Sequence, residues 1–193
     1  MEIYNQIKQS INSFYSIPDA EWEQFKSLLI IKELPKGSIL TKAGQQENHI
    51  YYLSKGATRN YFINKDKEFT VGFHFPGEFV TAFYSLITQQ PSPITIELLE
   101  DAVVAGIIYT KLEEFYKSSF AGATIGRKIA EMQYALRLKR EMDLLSFTAE
   151  ERYAQLMEKN PALVSTISVK HLAGYLGVQP ESLSRIRKLY SRN

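Results

Sequence analysis

Residues 169–188, VKHLAGYLGVQPESLSRIRK, restrict the C-terminal part of this 193-residue chain to two short helices joined by a tight turn. Ala173 is small enough for two helices to cross closely, and Gly177 follows where a turn needs a positive φ. Apolar side chains occupy the inward positions of both helices: Leu172, Leu176, Val178, Leu183 and Ile186. The spacing predicts a helix-turn-helix, whose second helix has the shape to enter a DNA major groove.

The second helix of this motif presents polar side chains on the face away from its apolar positions. Pro180 suits its first turn, where a missing N–H costs nothing. Arg185 can donate two parallel hydrogen bonds to guanine, while Glu181 can accept from cytosine and hold Arg185 in position. We predict base contacts from Glu181, Ser182 and Arg185. Phosphate contacts are predicted from four basic residues: Lys170, Arg187, Lys188 and Arg192. The alternative is an ordinary helix with a solvated Glu181–Arg185 pair.

Charge and composition narrow the class of protein. Residues 151–193 contain seven Lys/Arg and three Asp/Glu, whereas acidic residues outnumber basic ones in the rest of the chain. A basic surface attracts phosphate backbones. No cysteine is present, which excludes disulfides, thiolate metal sites and a cysteine nucleophile. Because the N-terminus has no signal-peptide pattern and no apolar run could span a bilayer, we expect a soluble, cytoplasmic protein without a membrane partner.

Residues 33–109 have the composition of short strands separated by turns, and glycines at 37, 44, 56 and 77 punctuate them. A helix is expected before them, over 19–30, with Trp22 and Phe25 facing inward. Six runs rich in β-branched and aromatic residues are predicted as strands: Ser38–Thr41, Ile50–Leu53, Thr58–Ile63, Thr70–Phe75, Thr95–Leu99 and Val103–Tyr109. This pattern is typical of an antiparallel sandwich or jelly roll.

One long helix is predicted over 121–147, because apolar residues there recur at steps of three and four. One side of it would cover the barrel, and the other would meet a second copy of the chain. The alternative is an amphipathic helix packed only on its own domain. The residues assigned to the dimer helix are Ile125, Ile129, Met132, Leu136, Met142 and Leu145.

A further helix is predicted to start at a capping box formed by Thr148 and Glu151 and to end at Pro161. Residues 161–167 are expected to form a connection, with a small hairpin as one form of it. Ser168 is then placed to cap the first helix of the helix-turn-helix.

These segments together resemble the Crp/Fnr regulators. The resemblance rests on LPKGSIL at 34–40, KAGQQENHIYYLSKGATR at 42–59, FPGEF at 75–79 and LGVQPESLSRIRK at 176–188. It implies an α+β fold with an N-terminal antiparallel β jelly roll of the cyclic-nucleotide-binding type over 1–120. It further implies a long dimerisation helix over 121–147 and a C-terminal winged helix-turn-helix domain over 148–193. We expect no family strands beyond the recognition helix. The family's E-x-x-S-R arrangement implies base reading by Glu181, Ser184 and Arg185.

The family's cyclic-nucleotide contacts are missing from the matching positions. Its ribose-binding Glu corresponds to Ala82, and its phosphate-binding Arg falls near Ser92 or Pro93. From Glu68 through Thr110 the chain has no Lys or Arg. We therefore predict no response to cyclic AMP or cyclic GMP through the usual contacts. A pocket suited to an apolar or aromatic ligand, or to none, is predicted from these residues, whose alternative role is ordinary core: Phe73, Phe75, Gly77, Glu78, Phe79, Ala82, Phe83, Tyr84 and Ser92.

The function predicted is a dimeric, sequence-specific DNA-binding transcription regulator of near-palindromic sites, without an evident cofactor and controlled by an unidentified small effector. RNA polymerase is a further candidate partner. One alternative is a ligand-binding module that acts through protein partners. The other is a metal-dependent jelly-roll enzyme, for which His49, His74 and Glu78 would have to meet, but no two histidines lie within 24 residues of each other. No catalytic residue is assigned, and we expect no enzyme.

Overall fold

The computed structural model describes residues 2–159 and 161–190. The chain forms two compact units, one made of 2–60 and 73–132 and the other of 61–72 and 133–190. The tip of one β-hairpin is thus counted with the C-terminal helices. The three domains predicted from the sequence, with boundaries after 120 and 147, stay a prediction.

Two four-stranded antiparallel sheets form the β part of the fold, in the orders β1-β8-β3-β6 and β2-β7-β4-β5. The predicted jelly roll is confirmed, and all six predicted strands are present with slightly different ends. Strands β1 and β6 have no counterpart among the predictions. The described strands are β1 (Ile30–Leu34), β2 (Ile39–Thr41), β3 (His49–Lys55), β4 (Thr58–Asn64), β5 (Lys67–His74), β6 (Phe79–Val80), β7 (Thr95–Leu98) and β8 (Ala102–Ile108).

Strands β3 and β8 separate two hydrophobic cores, because successive side chains of a strand point to opposite faces. Leu53 and Val104 belong to the core between the sheets, together with Ile96 and Leu98 of β7. The residues of the other core come from the opposite face of β3 and β8 and from helices: Ile7, Ile11, Ile17, Trp22, Phe25, Leu29, Tyr52, Ala105, Ile107, Leu112, Phe115, Ala121 and Ile125.

Four helices in the N-terminal 118 residues frame the sheets: α1 (Glu2–Asn12), α2 (Asp19–Ser27), α3 (Phe83–Thr88) and α4 (Tyr109–Ser118). The helix predicted over 19–30 ends at Ser27, because Ile30 already pairs with Gly106 as the first residue of β1. Trp22 and Phe25 are buried as predicted. Helices α3 and α4 are not anticipated by the sequence patterns.

The predicted long helix is present as α5 (Phe120–Ser146). Its first turns pack closely on α4: a Cβ added at Gly122 would collide with the Phe115 ring, and one at Gly126 would lie 2.6 Å from Tyr116 Oη. A Cβ at either position would therefore force the facing side chain on or next to α4 to shift.

The C-terminal helices are α6 (Ala149–Lys159), α7 (Pro161–Thr166), α8 (Val169–Leu176) and α9 (Pro180–Tyr190). The capping box is confirmed, because Thr148 Oγ1 accepts from the Glu151 N–H at 3.2 Å and Glu151 Oε2 accepts from the Thr148 N–H at 2.7 Å. The hairpin considered for 161–167 is wrong, since Pro161 starts α7, a position where its missing N–H is tolerated.

The described residues from 148 onward contain helices and no strand, so a wing is not among them. None of the described helices combines the length and the apolar character that crossing a membrane requires.

Candidate functional site

Helices α8 and α9 form the predicted helix-turn-helix. Ser168 caps α8 by accepting from the His171 N–H at 3.2 Å, and Gly177 adopts φ 71° in the turn. Ala173 is fully buried at the helix crossing, as are Leu172 and Leu183 on either side of the turn. The cap, the turn glycine and the small residue at the crossing are therefore located where the sequence predicted them.

One face of α9 is open to solvent and carries the predicted base contacts. Glu181, Ser184 and Arg185 are exposed, and Ser182 is half-buried. Arg185 Nη2 lies 3.4 Å from Ser182 Oγ, and the positioning of Arg185 by Glu181 stays a prediction. Ser184 Oγ donates to the Pro180 carbonyl at 3.0 Å. Tyr190 is 43% exposed, and its ring packs edge-on against Tyr153.

The C-terminus of α8 is held by hydrogen bonds to all four of its last carbonyls, which have no partners within the helix itself. The N–H groups of Gly177 and Val178 donate to the first two, Ala173 and Gly174. Two arginines donate to the others: Arg140 Nη2 to Tyr175 O at 3.0 Å, and Arg152 Nη2 to Leu176 O at 2.8 Å.

Arg140 and Arg152 were not singled out from the sequence. The guanidinium of Arg140 also lies 3.8 Å from the centroid of the Tyr175 ring, and burial lowers the pKa of Arg140. The sequence indicated only that the carbonyl groups at the end of a helix need hydrogen-bond donors. It did not indicate which side chains would supply them.

The predicted phosphate contacts separate into two kinds. Lys188 is exposed on α9, whereas Arg187 Nη2 donates to the Val164 carbonyl at 3.1 Å. Arg187 therefore ties α9 to α7, a placement that favours a structural role over a phosphate contact. Lys170 Nζ lies 3.6 Å from Glu68 Oε2 at the tip of the β4–β5 hairpin. Arg192 lies outside the described residues.

The six residues assigned to the dimer helix differ in burial. Ile125 is buried and Ile129 packs on the same core, so the first two serve their own unit. The other four are exposed, by 50% for Met132, 54% for Leu136, 58% for Met142 and 90% for Leu145. The C-terminal half of α5 thus presents an apolar stripe to solvent.

The aromatic residues predicted to line a ligand pocket are not brought together. Phe83 and Tyr84 are 55% and 59% exposed on α3. Phe79 packs on Tyr52 in the core formed with the helices, with ring centroids 5.1 Å apart. Phe73 and Phe75 are half-buried, and Gly77 is exposed, in and after β5. These side chains are separated because successive residues of a strand point to opposite faces of the sheet. In addition, the short helix α3 directs the rings of Phe83 and Tyr84 to solvent.

The positions that match the family's cyclic-nucleotide contacts are buried and occupied by other interactions. Ala82 is 1% exposed and Ser92 is 3% exposed. Ser92 Oγ donates to the Ile94 carbonyl at 2.8 Å, and the Ser92 N–H donates to Gln45 O at 2.8 Å. The segment is thus fastened to the loop at 44–47.

A buried carboxylate, Glu47, lies in the loop that fastens this segment. Glu47 Oε1 accepts from the N–H groups of Asn48 and His49, each at 2.9 Å, and its other oxygen accepts from Thr41. The Glu47 N–H donates to Ser85 Oγ on α3 at 2.9 Å. Burial, and secondly the charge of Glu47, raise the pKa of Tyr51 to about 12. The buried carboxylate of Glu47 would repel a phosphate anion bound beside it.

The histidines do not form a metal centre. His74 Nδ1 lies 3.1 Å from Glu78 Oε2, as the metal alternative required. His49 instead stacks on Tyr51, with ring centroids 5.6 Å apart. Within the described part of the chain, no three His, Asp or Glu side chains gather as metal ligands.

Comparison with known proteins agrees with this architecture. Residues 31–119 match the family described as cyclic nucleotide-binding domain. The anaerobic regulatory protein of Haemophilus influenzae is 27% identical over 194 residues, which cover 89% of this chain and 71% of that protein.

Two solved structures share the fold. FixK2 from Bradyrhizobium japonicum superposes with a TM-score of 0.71 at 20% identity, covering 85% of each chain. A regulator from Eubacterium rectale assigned to the crp/fnr family gives a TM-score of 0.71 at 16% identity, covering 91% of this chain and 84% of that one. With the sensor-type barrel, the long helix and the helix-turn-helix all present, the resemblance to the Crp/Fnr regulators that the sequence indicated is confirmed.

Proposed function

We propose that the chain is a dimeric, sequence-specific DNA-binding transcription regulator, controlled by a small effector other than cyclic AMP or cyclic GMP. The observation that carries the proposal is the open face of α9, where Glu181, Ser184 and Arg185 are exposed while Leu183 and Ile186 on the opposite face are buried. Side chains presented in this way can reach base edges in a major groove. The relatives are regulatory proteins, which supports a regulator over an enzyme.

Selection of bound oligonucleotides from a random pool tests DNA recognition directly. We expect a near-palindromic consensus with half-sites about one helical turn apart, because two recognition helices would be related by a two-fold axis. Arg185→Ala should lose about 1–3 kcal/mol of specific binding and relax one position of each half-site. The matched control is Arg127→Ala, an exposed arginine of the other unit, which should leave binding unchanged. Operator discrimination that survives Arg185→Ala would remove the base-reading assignment.

The exposed stripe on α5 supports the homodimer. A second copy that packs its own α5 along this helix would cover part of the exposed apolar surface to which Met132, Leu136, Met142 and Leu145 belong. Sedimentation velocity should show a dimer that Leu136→Glu converts to monomer. Gln133→Glu adds the same charge to the same helix at an exposed position outside the stripe and should leave the dimer intact. A monomeric parent protein would contradict this part of the proposal.

The surroundings of Glu47 and Ser92 support an effector different from a cyclic nucleotide. A cyclic phosphate there would meet a buried carboxylate, and residues 68–110 supply no Lys or Arg. Calorimetric titration with cyclic AMP and cyclic GMP should give no saturable heat in the micromolar range. Micromolar binding of either nucleotide would overturn this statement.

The ligand-binding module that acts through protein partners remains the second candidate. The exposed apolar stripe on α5 is compatible with it, since such a surface accepts a different protein as well as a second copy. If the chain retarded no DNA at any salt concentration and was also monomeric, this second function would be favoured.

A further inference from the structure

The junction between α5 and the C-terminal helices is short and has little apolar packing. Only Phe147 and Thr148 separate α5 from α6, and rotation about their backbone bonds could point the C-terminal helices in many directions. The apolar side chains at this end of α5 offer little resistance to such rotation, because Leu144 is 41% exposed, Leu145 is 90% exposed and Phe147 is 37% exposed. The direction of the C-terminal helices relative to α5 must therefore be set by other contacts.

Arg152 on α6 joins the end of α5 to the end of α8. Its Nη1 donates to the carbonyls of Leu144, at 3.4 Å, and of Phe147, and its Nη2 donates to the Leu176 carbonyl at 2.8 Å. Leu144 lies in the last turn of α5, and Leu176 is the last residue of α8. One guanidinium thus bonds to both helix ends, and its planar fork of donors favours one relative placement of them.

Arg140 makes a second connection, directly from α5 to α8. Its Nη2 donates to the Tyr175 carbonyl at 3.0 Å, and its guanidinium lies 3.8 Å from the centroid of the Tyr175 ring. The ring restricts the tilt of the guanidinium, and the hydrogen bond restricts its distance from the helix. Both arginines bind main-chain carbonyls, which move only when their helix moves. These contacts therefore restrain the helices themselves and not only their side chains.

The placement of α8 is passed on to α9. Across the turn, the Gly177 N–H donates to Gly174 O at 3.4 Å and the Val178 N–H donates to Ala173 O at 3.0 Å. Ala173 and Leu183 are fully buried where the two helices cross. Because α8 and α9 are packed and bonded in this way, a contact that fixes the end of α8 also fixes the direction of α9.

We propose that Arg140 and Arg152 are positioning residues that set the direction of α9 relative to α5, and thereby the spacing between the two half-sites of the operator. The inference rests on the proposed function, in which two copies pair along α5 and each presents one α9 to DNA. One base pair inserted between half-sites moves the second by about 3.4 Å and rotates it by about 35°, which a rigidly held pair of helices does not follow.

Distances between two spin labels measure the direction of α9 without DNA. The chain contains no cysteine, so labels can be attached through Gln133→Cys on α5 and Ser184→Cys on α9, both at exposed positions. Dilution with unlabelled protein ensures that labelled copies seldom pair with one another. By double electron–electron resonance we expect one narrow distance distribution in the labelled parent, and a broadened one after Arg140→Met or Arg152→Met, which keep an apolar stem but remove the donors.

Arg187→Met is the matched control. Arg187 also donates to a main-chain carbonyl, that of Val164, but it connects α9 to α7 and not to α5. It should lower stability without broadening the distribution, which separates a positioning role from a purely stabilising one. Tyr175→Leu, which removes the ring and keeps the carbonyl, repeats the test if the arginine variants do not fold, with a smaller broadening expected.

Operators whose half-sites are one base pair closer or farther apart test the consequence for DNA. The parent should bind them at least about tenfold more weakly than the selected operator, and Arg140→Met should reduce this difference to about twofold. A narrow distribution that persists in the folded variants would overturn the inference, as would spacing discrimination that Arg140→Met leaves unchanged. If the parent binds no operator while the distribution broadens as expected, the proposed function fails and the positioning of α9 by the two arginines stands.

Discussion

Lys170 Nζ on α8 lies 3.6 Å from Glu68 Oε2 on the β4–β5 hairpin tip, in the same compact unit. The same helix also meets the hairpin at Gly174, where an added Cβ would lie 3.4 Å from Thr70 Oγ1. A basic residue predicted to contact phosphate is therefore held next to a carboxylate that would repel DNA.

Glu68→Gln should raise DNA affinity, because it removes the carboxylate that competes with phosphate for Lys170. The expected gain is small, about two- to fivefold, since exposed ion pairs contribute little more than about 1 kcal/mol. Fluorescence anisotropy with a labelled operator at several salt concentrations measures it. In a Lys170→Gln background the same change should give no gain, and a gain that persists there would show that Lys170 is not the phosphate contact.

Arg187 and Lys188 are adjacent on α9 and should respond differently to the same substitution. Arg187→Gln should lower the free energy of unfolding by about 1–3 kcal/mol, because the bond to the Val164 carbonyl is lost, with no change in salt dependence. Lys188→Gln should leave stability within about 0.5 kcal/mol and reduce the salt slope of DNA binding by about one. Urea unfolding measures the effect on stability, and salt titrations of DNA binding measure the effect on the salt slope. If Arg187→Gln left the stability unaltered, Arg187 would again be a candidate phosphate contact.

Gly122→Ala and Gly174→Ala should change stability in opposite directions. A Cβ at Gly122 would press on Phe115 and lie 2.7 Å from Ser119 Oγ, so we expect a loss of about 1–3 kcal/mol from overpacking. At Gly174 the added methyl meets only ordinary contacts, and helix propensity should stabilise the protein by up to about 1 kcal/mol. Thermal unfolding of the pair checks the close approach of α4 and α5, and equal effects at both positions would contradict it.

Alkaline unfolding should depend on Tyr51. Burial, and then the charge of Glu47, raise the pKa of Tyr51 from 10.0 to about 12 in the folded state. A raised folded pKa stabilises the protein fully below pH 10.0, and this contribution is lost as the pH rises through about 12. Tyr51→Phe cannot ionise there and should unfold at a higher pH, as followed by circular dichroism. Tyr84→Phe, the same change on an exposed ring, is the control, and identical midpoints for Tyr51→Phe and the parent would refute the assignment.

Features specified by neighbouring residues could be predicted from the sequence. The capping box at Thr148, the cap at Ser168 and the positive φ at Gly177 each depend on a few adjacent positions. The six strands followed from runs of β-branched and aromatic residues between turn residues, and α5 followed from the helical spacing of its apolar residues. The open face of α9 followed from the same argument.

Contacts between distant residues could not be predicted in this way. Nothing local indicates that Arg140 and Arg152 donate to the end of α8, or that Arg187 binds Val164, since any donor within reach would satisfy those carbonyls. Short-range patterns thus established the helix-turn-helix and the barrel, whereas the partner of each buried polar group was chosen only when strands and helices packed, because hydrogen bonds depend on position in space and not on separation along the chain.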